Sequence, residues 1–159
     1  MIIVIISNKD LLQDLIKDLR KNNLKIVFTN GCFDILHKGH VKYLSEAKKF
    51  GDILIVGINS DLSIKKIKGS SRPVIPLESR IEVLNSIKPV DFVISFDEET
   101  PLNLISLIKP DVHVKGGDYT IESLPESKII LEYGGKIKII NLVDGFSTTN
   151  IVSSILKGV

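Results

Sequence analysis

The chain has 159 residues, 43% of them hydrophobic and 25% charged, a composition that fits one globular domain and excludes a disordered or fibrous class. Its formal net charge is +2 with the lysines spread along the chain, so there is no basic block for nucleic acid or a membrane surface, while an anionic small molecule stays open. A single cysteine, Cys32, rules out an internal disulfide, and no Cys/His spacing matches a zinc site, so a reducing compartment and a cytoplasmic location are expected.

In chain order, residues 1–6 are apolar but lack a basic leader and a small-residue cleavage site, and they read as a short strand. Ser7 or Asn8 can cap a helix in which Leu11, Leu12, Leu15, Ile16 and Leu19 recur at helical spacing up to the Asn22-Asn23 pair. The period then changes. Compact apolar and β-branched runs at 25–29, 53–58, 92–95, 112–114 and 137–140 predict strands buried on both faces. Helical patterns at 39–50, 61–66, 77–87, 102–108, 127–133 and 148–156 alternate with them. The alternation predicts an α/β fold: a Rossmann-like, doubly wound, five-stranded parallel sheet in a single domain. Residues 1–24 are expected as a strand and helix extension packed on that domain, which itself runs over 25–159. The Pro/Gly/Ser-rich stretch 68–76 is expected as a loop within the domain, either a plain connection or a segment that closes on substrate. No apolar run approaches the roughly 20 residues that span a bilayer.

In such a sheet, ligands sit at the carboxyl ends of the strands where strand order reverses, which points to the segment directly after the strand at 25–29. There the chain reads Thr29-Asn30-Gly31-Cys32-Phe33-Asp34-Ile35-Leu36-His37-Lys38-Gly39-His40: strand, turn, helix start. Backbone N–H groups at a turn and a helix N-terminus face bound anions, and Gly31 and Gly39 let the backbone come close to a phosphate. His37 and His40 can converge if the chain turns between them, each offering a ring N–H to a phosphate oxygen. Nucleotidyl transfer asks a protein mainly to align reactants and stabilise developing negative charge, and histidine donors suit that task. As a zinc site the His-x-x-His pair is incomplete without a third ligand. Two surface histidines at a helix start are the plainer alternative. Neither G-x-x-x-x-G-K-[ST] nor G-x-G-x-x-G occurs in the chain.

The run 28–40 resembles the signature of the cytidylyltransferase-like nucleotidyltransferases, in which T/G-x-G-x-F-D leads into HxGH. Lys115-Gly116-Gly117-Asp118-Tyr119 and Gly145-Phe146-Ser147-Thr148-Thr149 echo that superfamily in the same order. Within it the chain is similar to the adenylyltransferases of ADP-heptose biosynthesis, through Asn59-Ser60-Asp61, Ser71-Arg72-Pro73-Val74, Pro76-Leu77-Glu78-Ser79-Arg80, the stretch 114–119 and Ser147-Thr148-Thr149-Asn150. The resemblance implies ATP and D-glycero-β-D-manno-heptose 1-phosphate as substrates, Mg²⁺ held mainly by triphosphate oxygens, and release of pyrophosphate. It also implies a homodimer or larger assembly. Many relatives carry this domain behind a sugar kinase, so a separate upstream kinase is expected here, with no nucleic-acid or membrane partner. Glycerol-3-phosphate cytidylyltransferase is the enzymatic alternative, although Leu142-Val143-Asp144 precede Gly145 where that family usually has an arginine. A nucleotide-sensing module without turnover is the non-enzymatic one.

From the same resemblance, His37 and His40 would contact the β- and α-phosphates, with Lys68 as the third catalytic group. Thr29, Asn30, Gly31, Cys32, Phe33 and Gly39 would line the nucleotide, joined by Lys115, Gly116 and Asp118 beyond the fourth strand and by Ser147, Thr148 and Thr149 at the last helix. Arg72 and Arg80 would join Lys68 near the phosphates, since a closing loop can neutralise charge as pyrophosphate leaves; Arg80 equally suits a solvated helix face. Asp61 would bind sugar hydroxyls or cap its helix, and Asp34 would orient the loop or water around Mg²⁺, or cap the following turn. Cys32 has no base implied beside it for a nucleophilic role. His113, inside an apolar strand, reads as a hydrogen-bonded structural residue.

Overall fold

The computed structural model describes residues 4–6, 9–117, 119–141 and 147–158. The five strands read from the sequence are β2 (Ile26–Gly31), β3 (Ile53–Asn59), β4 (Phe92–Phe96), β5 (Val112–Gly116) and β6 (Lys136–Ile140), all parallel. Val4–Ile6 forms β1, which pairs parallel with β4 and extends the sheet to six strands. The N-terminal segment is therefore an edge strand of the sheet. The proposed cap at Ser7 or Asn8 lies outside the described residues.

The strand order is β1-β4-β3-β2-β5-β6. From β2 the chain steps outward through β3 to β4, then crosses back to β5 on the other side of β2. Strand order thus reverses at β2, the position where an open α/β sheet forms its ligand crevice.

Alternating residues of the central strands face two separate cores. Ile26, Phe28, Ile55, Ile94 and Phe96 face one, against Leu12 and Leu19 of α1 (Lys9–Lys21) and Leu104, Ile105 and Ile108 of α5 (Leu102–Ile108). Ile130 of α6 (Ser127–Glu132) joins that core. Val27, Leu54, Val56, Ile58, Val93 and Val114 face the other, against Leu44 and Ala47 of α2 (Lys38–Lys48) and Ile81 and Leu84 of α4 (Leu77–Asn85). Burying each such aliphatic chain is worth about 1.5–3 kcal/mol before chain entropy, which is why the strands read as continuous apolar runs. Gly57 is required by close approach, because a Cβ there would lie 2.8 Å from Phe28 Cζ.

Two further helices complete the fold, α3 (Asp61–Lys68) and α7 (Thr148–Lys157). Since α3 runs to Lys68, that lysine ends a helix instead of opening the 68–76 loop, and the connection to α4 is correspondingly shorter. Among the described residues, no helix is long and apolar enough to cross a membrane.

Candidate functional site

β2 ends at Gly31, and the chain turns through Phe33, whose φ of +47° is unusual for an aromatic residue. Strain of that kind costs of order 1–3 kcal/mol, offset here by burial of the Phe33 ring in the second core. The same ring lies 5.5 Å from the His40 ring, so the turn and the helix after it share one anchor.

His37 is the N-cap of α2, with φ −145° and ψ 174°. Its Nδ1 accepts a hydrogen bond from the Gly39 N–H at 3.1 Å, and His40 Nδ1 accepts one from the His37 N–H at 3.3 Å. The two histidines thus form a reciprocal capping box in the places usually held by Ser or Thr and by Glu. Their ring centroids stand 4.0 Å apart. An Nδ1 that accepts a hydrogen bond carries no proton, so each neutral ring bears its proton on Nε2. Both are held neutral: burial lowers the His37 pKa, and burial, His37 and the Lys68 charge lower that of His40 to about 4. The helix start therefore presents paired Nε2–H donors at the positive end of the α2 dipole.

Arg80 lies elsewhere than the sequence suggested, neither on a solvated face nor open to a ligand, but 1% exposed inside the protein. Its Nε donates to Ile75 O, its Nη1 to Cys32 O and Asn59 O, and its Nη2 to Asp61 Oδ1 at 2.7 Å. One guanidinium thereby ties the loop after β2, the end of β3, the start of α3 and the approach to α4. Asp61 is half-exposed and carries this ion pair. Ser60 caps α3 instead, accepting from the Ser63 N–H.

Asp34 is also committed internally. Its carboxylate accepts from the N–H groups of Val74 and Ile75 and pairs with Arg72 Nη2 at 2.5 Å. Burial alone would raise its pKa, but those two N–H bonds and the Arg72 charge outweigh it and leave the group lowered. Asp34 and Arg72 together fasten the 69–76 loop to the turn after β2, so of the roles expected for Asp34 its carboxylate takes that of orienting the loop. Lys68 remains exposed, near enough to Cys32 and His40 for its charge to act on both. Burial raises the Cys32 thiol, which keeps it protonated and a poor nucleophile.

On the other side of β2, Thr29 is fully buried. Tyr43 O–H donates to Val114 O at 3.0 Å, so the Thr29 hydroxyl donates to Tyr43 Oη at 2.7 Å, and its side chain faces the core. Asn30 Oδ1 accepts from Lys115 Nζ at 3.0 Å, bringing two of the expected nucleotide residues together across β2 and β5. Gly116 ends β5, and the N–H of Gly117 continues the sheet pairing to Ile140 O. Ser147 caps α7, its Oγ accepting from the Asn150 N–H, and Thr148 Oγ1 lies 3.4 Å from Ile35 O. The start of α7 thus touches the turn between β2 and α2, and Thr149 next to it is exposed. Asp118, Gly145 and Phe146 lie outside the described residues.

Sequence reading missed Tyr43 and Glu126. Tyr43, partly buried against the second core, sits in α2 between Lys42 and Leu44, and Glu126 lies just ahead of α6 outside any motif, so nothing local marks the hydroxyl of one or the carboxylate of the other as internally bonded.

A family model described as cytidylyltransferase-like matches residues 28–157. The chain belongs to that family of nucleotidyltransferases. It is 48% identical over 152 residues to the "Bifunctional protein HldE" of Geobacter sulfurreducens, covering 96% of this chain and 31% of that protein. It is 54% identical over 138 residues to the protein of the same name from Proteus mirabilis, covering 87% of this chain and 29% of the relative. The chain thus spans about a third of the length of these curated relatives. Among solved structures, the lipopolysaccharide core biosynthesis protein from Thermoplasma volcanium is 32% identical with a TM-score of 0.61, over 76% of this chain and 97% of that one. A pantoate-beta-alanine ligase from Francisella tularensis, solved in complex with "Beta-gamma ATP and Beta-alanine", shares the fold at TM-score 0.64 with 16% identity, over 99% of this chain and 79% of that one.

Proposed function

We propose that the chain is the adenylyltransferase that joins ATP and D-glycero-β-D-manno-heptose 1-phosphate, giving ADP-heptose and pyrophosphate. The observation that carries the chemistry is the hydrogen bonding of the histidine pair: each Nδ1 accepts from a backbone N–H, which in a neutral ring puts the proton on Nε2. The heptose acceptor is supported by the similarity to the HldE proteins and by the motif stretches from 59 to 80.

In the reaction a phosphate oxygen of the sugar phosphate bonds to the α-phosphorus of ATP as the bond from that phosphorus to the β-phosphate oxygen breaks. Negative charge grows on the equatorial α-phosphate oxygens and on the departing pyrophosphate. Fixed neutral donors stabilise that charge without reorganising, because a cap hydrogen bond already sets each ring's angle. Lys68 supplies a mobile cation for the leaving group. Among the described residues, no three His, Cys, Asp or Glu side chains converge into a metal cage. The Asp34 and Asp61 carboxylates are already paired, so a magnesium ion that arrives with ATP would be held chiefly by triphosphate oxygens and water. When bound, it would neutralise phosphate charge.

Arg72 is the cation we assign to the acceptor side. Asn30, Gly31, Lys115, Gly116, Ser147, Thr148 and Thr149 form the nucleotide side, with Asp34, Asp61 and Arg80 holding the frame between them. A sugar kinase activity would supply the heptose 1-phosphate, the enzyme would work in the cytoplasm, and it would assemble as a homodimer or larger. A pyrophosphate-release screen of four nucleoside triphosphates against heptose, glycerol, ribitol and ethanolamine phosphates tests the assignment. Turnover should require ATP and the heptose phosphate. Turnover with CTP and glycerol 3-phosphate alone would replace it with the cytidylyl reaction, and ATP binding without any pyrophosphate would leave only a nucleotide sensor.

A further inference from the structure

Beneath the expected nucleotide side lies a charged cluster in which Lys115 of the 115–119 motif meets Glu126, a residue outside any motif, beside His113. Glu126, at the N-cap of α6, is 2% exposed, yet its side chain makes no cap bond to its own helix. Its Oε1 instead accepts from His113 Nε2 at 3.1 Å and lies 3.2 Å from Lys115 Nζ. His113 is fully buried on β5 and stacks on Phe28, with ring centroids 5.6 Å apart. Lys115 is two residues further along β5, at the carboxyl end of the sheet, with its side chain 18% exposed. Its ammonium group also donates to Asn30 Oδ1 at 3.0 Å.

A lysine side chain has four flexible carbons and loses about 2 kcal/mol of rotamer entropy when fixed. Here two fixed oxygens from different elements bear that cost before any ligand arrives. An ammonium group has three N–H donors, and these two contacts leave one for a ligand oxygen. A buried carboxylate with two partners adds little net stability compared with an apolar replacement, so stability alone is a weak reason for its presence. Burial by itself would raise the Glu126 pKa, but the His113 bond and the Lys115 charge bring it to about 2, so the anchor is charged at every working pH. Burial keeps His113 neutral, and its Nε2–H then serves as a fixed strut for the carboxylate.

We propose that Glu126 is a positioning residue for nucleotide binding: it holds Lys115 against Asn30 so that the ammonium group meets a nucleotide oxygen already oriented. This rests on the reading of Lys115 as a nucleotide contact but not on the identity of the sugar acceptor. The predicted signature is a split in kinetic effect. Lys115→Met should raise the KM for ATP about 10-fold or more, and Glu126→Gln should raise it several-fold, while the KM for the acceptor changes less than twofold. The double variant should be no worse than Lys115→Met alone, because the glutamate acts through the lysine.

Direct ATP binding, measured by calorimetry on the same variants without acceptor, separates this inference from the assigned reaction. If no heptose phosphate is turned over but ATP affinity still shows the non-additive pattern, the reaction fails and the positioning role stands. If turnover is as assigned but Glu126→Gln leaves ATP affinity unchanged, or the two substitutions add, the positioning role is overturned. Glu126→Asp keeps the charge one methylene further back and serves as a second variant should Glu126→Gln not fold. Its ATP affinity should fall between those of Glu126→Gln and the parent, and an affinity equal to the parent's overturns the proposal.

Discussion

At the residue scale the histidines carry two tasks on opposite ring atoms, one structural and one chemical. Asparagine offers an oxygen close to the place of Nδ1 but nothing near Nε2, so it can separate them. His37→Asn should keep the α2 cap and lose turnover by about 10², whereas His37→Ala should lose both turnover and about 1 kcal/mol of stability. Urea melts beside single-turnover rates would show this, and near-parent rates in His37→Asn would contradict the donor role. Acid acts on the two rings in turn, and His40, the more strongly depressed, responds last. With the His40 pKa near 4, its Nδ1 acceptor role in the cap should be intact from pH 8 to pH 6 and be lost as pH falls toward 4, while the Nε2–H donor persists in the protonated ring. Stability moves the same way: the unfolded histidine protonates near 6.5 while the folded one does not, so stability present above that value erodes as pH falls from about 6.5 toward 4. Melts at pH 7.5 and pH 5 should differ less in a His40→Gln variant than in the parent. The histidine pair was legible from residue type and spacing alone. Its tautomer was not, because that depends on which backbone N–H each Nδ1 meets, a matter of dihedral angles.

At the element scale, the loop between α3 and α4 is held from two sides, by Asp34 on its N–H groups and by Arg80 on the Ile75 carbonyl. Arg80→Met should cost about 3 kcal/mol or more, since it strands three carbonyls and the Asp61 carboxylate, and thermal melting should register it as a lower Tm. Asp34→Asn should cost about 1–3 kcal/mol and raise the acceptor KM more than the ATP KM, as the loop loosens. The element map itself was readable because a parallel sheet buried on both faces writes long apolar runs, and five of them fell where the strands are. Arg80 was misplaced for a related reason. An arginine set between Glu78 and Glu82 on a short helix gives no sign that backbone carbonyls from three other segments will converge on it.

At the scale of the whole molecule, α1 shares its core with residues of β2, β3, β4 and β6, so the N-terminal extension and the rest should unfold together. Leu12 is completely buried in that shared core, and Leu12→Ala should cost about 2–5 kcal/mol and lower a single melting transition seen alike by circular dichroism and by ATP protection. Two separated transitions would mean that residues 1–24 are an independent unit. The reversal of strand order at β2 has a consequence for how such a protein can change over generations. The histidine turn hangs from the middle strand, whereas the connections after β3 and β4 lie on one side of it and those after β5 and β6 on the other. Each side can accumulate substitutions without disturbing the other, provided that Arg72 and Arg80 keep their contacts to the turn between them. A chimera that takes residues 60–90 from a relative with another acceptor should exchange one selectivity and inherit the other unchanged, making the two halves of the sheet separately heritable modules.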